Sequence, residues 1–340
     1  MRAIVIKRHG GPEVLSIEER PTPVPGPDEI LIRVKAFGIN HAEIYFRQGV
    51  WGAVPEITGI ECVGVVELDP ANRMAPGKKV LAMVGGMGRA RGGSYAEFVS
   101  VPRSNVVSVE TTLGWEELAA VPESYATAWM ALQGILRIRP GQTVLIRGAT
   151  SALGQAAINI AAANGLRTIA TTRRASCAPL LESLGARTVL VDEPRLAVRV
   201  REAHPGGIDA VLDIVGTSTV LDSLAMVRRG GEVCLVGFLG GGEPLACQPV
   251  FQIPSGARLS VFASALALGT PEFPLGEIPF QQVVDAVAQG KFSARPAQVL
   301  PFEQIQAAHR LVESGEAGGK VVVTLDGLYS RPSSQEHAIP

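Results

Sequence analysis

The residues most suited to chemistry in this 340-residue sequence form a turn of small residues, Gly148 to Gly154. It has glycine at the first and last of three fingerprint positions and Ser151 at the central one. Backbone amides and the positive end of a following helix can reach a pyrophosphate only if no side chain intervenes. The turn therefore predicts a binding site for a dinucleotide, and the alternative is an ordinary strand-to-helix turn of a parallel sheet.

A second cluster of polar residues follows the next predicted strand, which ends Thr171-Thr172-Arg173-Arg174. A site for NAD is expected to place Asp or Glu here to hold the ribose 2′-hydroxyl, yet positions 124 to 181 contain no carboxylate. Two hydroxyls and two guanidiniums suit a 2′-phosphate instead. The sequence thus favours NADPH over NADH, and a solvated basic loop is the alternative.

These residues need strands and a helix to position them. Thr143 to Arg147 has the β-branched, apolar character of a buried parallel strand, Ala152 to Asn164 predicts a helix of small residues, and Arg167 to Thr172 predicts a second strand. Strand and helix signals continue to alternate along the chain, which predicts a doubly wound parallel sheet with the ligand at the carboxyl ends of its strands. The later predicted strands are Thr188 to Val191, Ala210 to Val215, Glu232 to Gly237 and Leu259 to Ala263, with helices at Ala178 to Leu184 and Val220 to Arg228.

The first 121 residues predict a compact β-rich unit, since short apolar or alternating runs are separated by glycine and proline clusters. From about residue 266, the amphipathic runs Phe280 to Gln289 and Phe302 to Glu313 predict helices, and Lys320 to Leu325 predicts a final strand that returns to this unit. The tail from Tyr329 to Pro340 is predicted to be mobile. The five strands predicted in the first unit are Ala3 to Ile6, Ile30 to Ala36, Cys62 to Glu67, Lys79 to Met83 and Tyr95 to Val101.

Composition limits the possible functions. A net charge of -1 gives no indication of a nucleic-acid partner, and no stretch approaches the roughly 20 apolar residues of a membrane span. The first residues enter strand-like sequence without the order of a signal peptide, so a cytoplasmic protein is expected. The four cysteines are far apart and form no CxxC pair, which supports neither a disulfide framework nor a structural zinc site.

Several segments together resemble the zinc-independent quinone oxidoreductase branch, which includes zeta-crystallin, of the medium-chain dehydrogenases/reductases. The resemblance covers nearly the whole chain and implies an α/β architecture, with a GroES-like β-rich catalytic domain and a Rossmann domain. The implied boundaries are residues 1–121 with 266–340 for the first and 122–265 for the second. The segments that carry the resemblance are Gly38-Ile39-Asn40, Thr58 to Val66, Gly92 to Glu97, Tyr125 to Ala128, the dinucleotide turn and Gly319 to Val323.

The resemblance also addresses zinc. Zinc-dependent relatives carry a cysteine after the first glycine-rich strand and a Gly-His-Glu triplet at the next, because catalytic zinc needs three protein ligands. This chain has Asn40-His41 at the first place and Gly59-Ile60-Glu61 at the second, and the short loop Val84 to Gly93 replaces the four-cysteine lobe. No metal is predicted.

The resemblance implies a role for each site residue. Asn40 and Thr127 are expected near the nicotinamide, and Tyr45 and Trp51 are expected to line the substrate pocket. Tyr45 and Asn40 are the candidate hydrogen-bond donors to the substrate oxygen. Asp192, after the third strand, would repel a phosphate, so NADPH requires the two arginines to outweigh it. The other predicted cofactor contacts are Gly148, Ala149, Ser151, Ala152, Leu153, Gly154, Thr172, Arg173, Arg174, Val215, Gly237, Phe238 and Leu239.

Three functions remain compatible with the sequence. The first is reduction of a quinone by hydride from NADPH without a metal, since a quinone is already activated toward hydride. The second is an enoyl or alkenal reductase acting on α,β-unsaturated carbonyls, and the third is an NADPH-binding sensor or structural protein with little turnover. The apolar run Arg258 to Leu266 predicts an edge strand through which a homodimer forms, as in relatives.

Overall fold

The computed structural model describes residues 1–325. The tail from Tyr329 to Pro340, predicted to be mobile, lies outside this range. The strands in chain order are β1 (Arg2–Ile6), β2 (Leu15–Glu19), β3 (Glu29–Ile39), β4 (Glu61–Leu68), β5 (Lys79–Met83), β6 (Phe98–Pro102), β7 (Val106–Ser108), β8 (Thr143–Arg147), β9 (Arg167–Thr172), β10 (Thr188–Val191), β11 (Ile208–Asp213), β12 (Val227–Leu235), β13 (Arg258–Val261), β14 (Gln298–Pro301) and β15 (Val321–Thr324).

Most of the α-helices lie in the second half of the chain. Helix α3 continues directly into a π-helical segment, Met130–Ile135. The helices are α1 (His41–Gln48), α2 (Trp115–Ala119), α3 (Pro122–Trp129), α4 (Ala152–Ala163), α5 (Ala178–Ser183), α6 (Leu196–Ala203), α7 (Val220–Met226), α8 (Pro249–Gln252), α9 (Ser264–Ala267), α10 (Phe280–Ala288) and α11 (Ile305–Glu313).

The predicted doubly wound sheet is confirmed. Its six strands are all parallel, in the order β10-β9-β8-β11-β12-β13. Counted along the chain within this sheet, the order is 3-2-1-4-5-6, which is that of dinucleotide-binding folds. The chain reverses direction across the sheet between β8 and β11, and ligands bind in the crevice outside the carboxyl ends of the strands at such a point.

The second large sheet joins the two ends of the chain. Its path is β14-β15-β3-β4-β5-β7, and β6 also pairs with β3. Strand β15 lies antiparallel to β3, with Val321 opposite Ile39. The returning C-terminal strand thus places residues near position 320 beside those near position 40. One core cluster runs from this sheet into the parallel sheet, because Val63 and Leu81 belong to the same cluster as Val144 and Ile146.

The structure corrects some predicted boundaries. Strand β11 ends at Asp213 rather than residue 215, because the Asp213 carboxylate accepts hydrogen bonds from the Val215 and Gly216 amides, both at 3.0 Å, and turns the chain. Strand β12 starts at Val227, five residues earlier than predicted, where an irregularity in its pairing with β11 shifts the register. Strand β6 begins at Phe98, since Tyr95 takes part in a turn that bonds to Thr58.

Helix α1 was missed within the predicted β-rich unit. Its first turn has Asn40 as N-cap and Glu43 at the third helical position, and the Glu43 Oε2 accepts the Asn40 amide at 2.8 Å. This Asn-x-x-Glu spacing is a helix-start signal that was available in the sequence. Within residues 1–325, no helix is both long and apolar enough to cross a membrane.

Candidate functional site

A cavity of about 1100 Å³ lies at the carboxyl ends of β8 and β11, where a dinucleotide is expected. It is larger than the roughly 300–1000 Å³ typical of ligand pockets, as an extended ligand requires. Most of the predicted site residues line it. They are Asn40, Tyr45, Trp51, Gly148, Ser151, Ala152, Leu153, Thr172, Arg173, Arg174, Val215, Gly237, Phe238 and Leu239.

Three predicted cofactor contacts do not line the cavity, namely Thr127, Ala149 and Gly154. The Thr127 hydroxyl is buried and donates to the Glu123 Oε1 at 2.9 Å. The Ala149 amide donates to the Thr171 carbonyl at 3.1 Å, which ties the turn to β9. Their positions indicate supporting roles behind the cavity wall.

The predicted pyrophosphate turn is held by its own serine. Ser151 is the N-cap of α4; its Oγ accepts the Gly154 amide at 3.1 Å and donates to the Gly148 carbonyl at 2.8 Å. The hydroxyl hydrogen is therefore directed at the turn and not into the cavity. The Ala152 and Leu153 amides, in the first helical turn, have no intrahelical acceptor and remain suited to an anion.

Gly154 allows helix α4 to lie close to the turn. A Cβ at this position would come within 2.6 Å of the Ala149 Cα and 2.7 Å of the Gly148 carbonyl oxygen. Both atoms belong to the backbone, so the helix itself would have to move. The glycine is therefore required by packing between the helix and the turn.

We expect Gly154→Ala to lower the free energy of unfolding by about 2–3 kcal/mol and to weaken cofactor binding, because the helix start is pushed outward. Helix propensity alone favours alanine by about 1 kcal/mol, so any loss reports the steric contact. Gly206→Ala is the matched control, since a Cβ there meets nothing within 4 Å. Urea unfolding and NADPH titration measure both effects, and equal stability of the two variants would contradict the packing argument.

The adenosine end of the cavity carries the predicted cations. The Arg173 and Arg174 side chains are exposed, and neither guanidinium has a hydrogen bond or ion pair within residues 1–325. Thr172 is buried, and its Oγ1 accepts the Arg174 amide at 3.2 Å, which fixes the start of the loop. Arg195 also lines this end, with a left-handed backbone of φ 64°.

Asp192 is bonded to Arg147, the last residue of β8, whose role was not predicted from the sequence. The Arg147 Nη2 donates to the Asp192 Oδ1 at 2.7 Å and its Nε donates to Oδ2 at 3.0 Å, a two-pronged contact. The Arg147 Nη1 donates to the Asp222 Oδ2 at 2.9 Å. The charge of Asp192 is therefore compensated by a buried guanidinium, which weakens the predicted repulsion of a phosphate. The available signal was a charged residue at the end of an otherwise apolar strand.

Aromatic residues surround the other end of the cavity. The Tyr45 and Trp51 rings lie 5.0 Å apart between centroids, and Trp51 contacts the edge of Phe238 at 6.2 Å. The Tyr45 hydroxyl donates to the Phe238 carbonyl at 3.0 Å, and burial raises the pKa of Tyr45. Tyr45 and Trp51, near one end of the chain, thus meet Phe238 after β12, and together they enclose the predicted substrate pocket.

Asn40 belongs to a buried ionic cluster. Its Nδ2 donates to the Glu61 Oε1 at 2.9 Å, and its Oδ1 accepts from the Lys320 Nζ at 2.6 Å. The Lys320 ammonium also forms an ion pair with Glu61, and both residues are almost fully buried. The second Nδ2 hydrogen faces the Glu43 Oε1 at 3.5 Å. The predicted role of Asn40 as a donor to substrate would require it to exchange one of these partners.

At the positions compared above with the zinc ligands of zinc-dependent relatives, Asn40, Ile60 and Glu61 are hydrogen-bonded within a buried cluster. Asn40 and Glu61 hold the Lys320 ammonium, and the Ile60 amide donates to the Glu43 Oε1 at 3.0 Å. A Cβ on Gly38 would lie 2.1 Å from the Lys320 Cε, so this glycine gives the lysine its space. Across residues 1–325, no group of three or more His, Cys, Asp or Glu is arranged to hold a metal ion.

Glu43 gives the cluster a pH dependence. Its pKa is raised from 4.5 to about 7, mainly because the carboxyl is buried; the hydrogen bond from the Ile60 amide opposes this rise and the neighbouring Glu61 charge adds to it. Since this pKa is raised on folding, the folded protein holds the proton more tightly between pH 4.5 and 7. The stabilising contribution is present below pH 4.5 and is lost as the pH rises through 7.

Because of Glu43, we expect the free energy of unfolding to fall as the pH rises across this window, by at most about 1.4 kcal/mol per pH unit. Glu43→Gln removes the titrating group, so the difference in stability between the two proteins should change with pH only in this window. Urea unfolding from pH 4.5 to 8 measures it. A constant difference would show that Glu43 has the same pKa in the folded and unfolded chains.

Comparison with known proteins agrees with this architecture. A family model for the alcohol dehydrogenase GroES-like domain matches residues 26–111, and one for zinc-binding dehydrogenases matches residues 184–323. A quinone oxidoreductase of Mus musculus is 27% identical over 343 residues, covering 96% of this chain and 98% of that protein.

Solved structures of dehydrogenases and related proteins have the same overall fold. An NAD-dependent alcohol dehydrogenase is 30% identical with a TM-score of 0.80, and the match covers 96% of this chain and all of the other. A mycobacterial protein in complex with NADPH is 28% identical with a TM-score of 0.84, again over 96% of this chain and 100% of the other. The similarity therefore extends over both large sheets.

Proposed function

Because the chain belongs to the medium-chain dehydrogenase/reductase superfamily, in its zeta-crystallin-like quinone oxidoreductase branch, we propose that this oxidoreductase transfers hydride from NADPH to a quinone without a metal. Membership of this superfamily identifies the chain as an oxidoreductase that uses a nicotinamide cofactor. The observation that supports NADPH is the pair of guanidiniums of Arg173 and Arg174 at the adenosine end of the cavity, which have no partner within residues 1–325. When bound there, the cofactor supplies the hydride.

The cofactor is proposed to lie along the whole cavity. The Ala152 and Leu153 amides face the pyrophosphate, while Thr172, Arg173 and Arg174 bind the 2′-phosphate. Val215, Gly237, Phe238 and Leu239 border the nicotinamide half. The named relatives include an NAD-dependent enzyme as well as a protein in complex with NADPH, so the preference for NADPH rests on the arginines of this chain.

The protein's contribution at the reacting end is orientation and hydrogen bonding. Tyr45 and Trp51 provide flat apolar surfaces for a quinone ring, and the Tyr45 hydroxyl can turn from the Phe238 carbonyl to the substrate oxygen. His41 also lines the cavity, and its imidazole has no hydrogen bond within residues 1–325. Burial and the Lys320 charge lower the pKa of His41, so it is neutral at pH 7 and offers one N–H donor.

A reductase of α,β-unsaturated carbonyls is the second candidate, because the same apolar cleft and donors suit an enone oxygen. A low-turnover NADPH-binding protein is the third. NADPH oxidation with 1,4-benzoquinone, 9,10-phenanthrenequinone and a small enone separates them. We expect the quinones to be reduced with the higher kcat/KM; faster turnover of the enone would favour the second function, and binding of NADPH without turnover would favour the third.

We also propose that the protein is a cytoplasmic homodimer. Each chain is proposed to consist of a catalytic domain, residues 1–121 with 266–340, and a Rossmann domain, residues 122–265. Strand β13 is the edge of the parallel sheet; Val261, at its end, is 63% exposed, and Phe251, in the preceding helix α8, is 87% exposed. An apolar edge strand of this kind suits pairing with a second copy. Light scattering at micromolar concentration is expected to give a dimer, and Val261→Lys to give a monomer. A monomeric unmodified protein would refute this.

A further inference from the structure

A second cavity, of about 570 Å³, adjoins the reacting end of the first. Both cavities are lined by Trp51, Arg89, Ala265 and Leu266. Trp51 also contacts Tyr45, so the second cavity opens beside the predicted position of the quinone ring. It therefore offers space for the part of an acceptor that is not reduced.

Arg89 is the one charged residue in the wall of this second cavity, as far as residues 1–325 are concerned. Its side chain is exposed, and its guanidinium has no hydrogen bond or ion pair within those residues. The nearby Arg91, in contrast, is paired with Glu29. The rest of the wall consists of neutral residues, among them Trp51, Asn105 and Leu268.

The loop that carries Arg89 is tightly built. Gly85, Gly86 and Gly88 have φ values of 65°, 82° and 69°, which glycine adopts without strain. The Gly86 carbonyl accepts the amides of residues 89, 90 and 91, at 2.8–3.1 Å. A Cβ on Gly88 would come within 2.7 Å of the Gly59 backbone, so the loop is packed against its neighbour. The arginine is thus presented from a fixed backbone.

We propose that the natural acceptor carries a carboxylate or sulfonate group, which Arg89 binds in the second cavity while the reducible ring lies between Tyr45 and the nicotinamide. This inference rests on the proposed function and specifies its substrate class. A guanidinium matches the geometry of either anion with two N–H donors, and the neutral wall, which has no carboxylate among residues 1–325, adds no repulsion. A hydrogen bond to a charged group contributes about 1.5–3 kcal/mol, which corresponds to roughly 10- to 100-fold in affinity.

The test compares 1,2-naphthoquinone with 1,2-naphthoquinone-4-sulfonate at saturating NADPH. Arg89→Gln is expected to lower kcat/KM for the sulfonate about 10- to 100-fold, mainly through KM, and to leave the neutral quinone within about twofold. Arg89→Lys should restore part of the loss. The ratio of kcat/KM for the sulfonate to kcat/KM for the neutral quinone is compared between the unmodified protein and each variant. This comparison cancels the difference in intrinsic reactivity between the two acceptors. Arg295→Gln is the control, because this arginine lies on the surface outside both cavities.

Other outcomes separate this inference from the proposed function. An equal loss with both acceptors, no loss, or a raised KM for NADPH would overturn the role of Arg89 while leaving quinone reduction intact. If neither quinone is turned over, the proposed function fails, and calorimetric binding of 2-naphthalenesulfonate to the NADP⁺-loaded protein still decides the anion site. We expect Arg89→Gln to weaken that binding at least tenfold; unchanged binding would refute the site.

Discussion

Lys320→Met is expected to lower the free energy of unfolding by about 3–5 kcal/mol, the cost of leaving a buried carboxylate without its partner. The Lys320 ammonium pairs with Glu61, and both side chains are at most 4% exposed. Its positive charge also holds down the pKa values of Glu43 and Glu123, both of which burial raises. Without the lysine, the Glu43, Glu61 and Glu123 carboxylates share this region, and no other cation within residues 1–325 is bonded to them.

Two controls test this result: the pH dependence of the stability loss, and a double variant that also removes the Glu61 charge. The loss should be smaller at pH 5 than at pH 8, because protonation relieves the unpaired carboxylates. Lys320→Met with Glu61→Gln should be more stable than Lys320→Met alone, since the second change removes the orphaned charge. Lys291→Met, at an exposed lysine, should change stability by less than about 0.5 kcal/mol. A loss below 1 kcal/mol for Lys320→Met would contradict a buried ion pair.

The double variant Arg173→Ala/Arg174→Ala is expected to reduce kcat/KM for NADPH by about 10²- to 10⁴-fold, while kcat/KM for NADH changes by less than about threefold. This loss corresponds to two charge-assisted hydrogen bonds to the 2′-phosphate, each contributing about 1.5–3 kcal/mol. The effect should appear in KM, because the phosphate lies far from the reacting atoms. Higher salt should weaken NADPH binding to the unmodified protein more than to the variant.

Arg187→Ala is the matched control for this pair. Arg187 is an exposed arginine immediately before β10, and it does not line the cavity. Equal losses for NADPH and NADH in the double variant would mean that the arginines bind a part common to both cofactors. No loss with either would mean that Arg195, which lines the same end, supplies the positive charge instead.

Signals between neighbouring residues made much of this fold predictable. Helix α4 and strands β8 and β9 follow from apolar patterning, small residues and Gly165, all within one stretch of sequence. The turn around Ser151 belongs to the same class, although its hydroxyl proved to cap the helix and not to face the cavity. The Asn40 and Glu43 spacing shows that helix α1 was also within reach.

Contacts between distant parts of the chain could not be predicted in this way. Lys320 and Glu61 are 259 positions apart, and the lysine is brought to the glutamate only by the pairing of β15 with β3. Arg147 and Asp192 meet because their strands end at the same edge of a sheet. The predicted repulsion between Asp192 and a phosphate was too strong for this reason, because the sequence does not show that Arg147 binds this carboxylate.

The most direct test of NADPH-dependent, metal-free quinone reduction is the initial rate of cofactor oxidation with 9,10-phenanthrenequinone, measured for NADPH and NADH in the presence and absence of EDTA. We predict a kcat/KM at least about tenfold higher for NADPH, a difference of about 1.4 kcal/mol, with no effect of the chelator. Equal or better turnover of NADH, or activity that is lost on chelation and restored by zinc, would contradict the account.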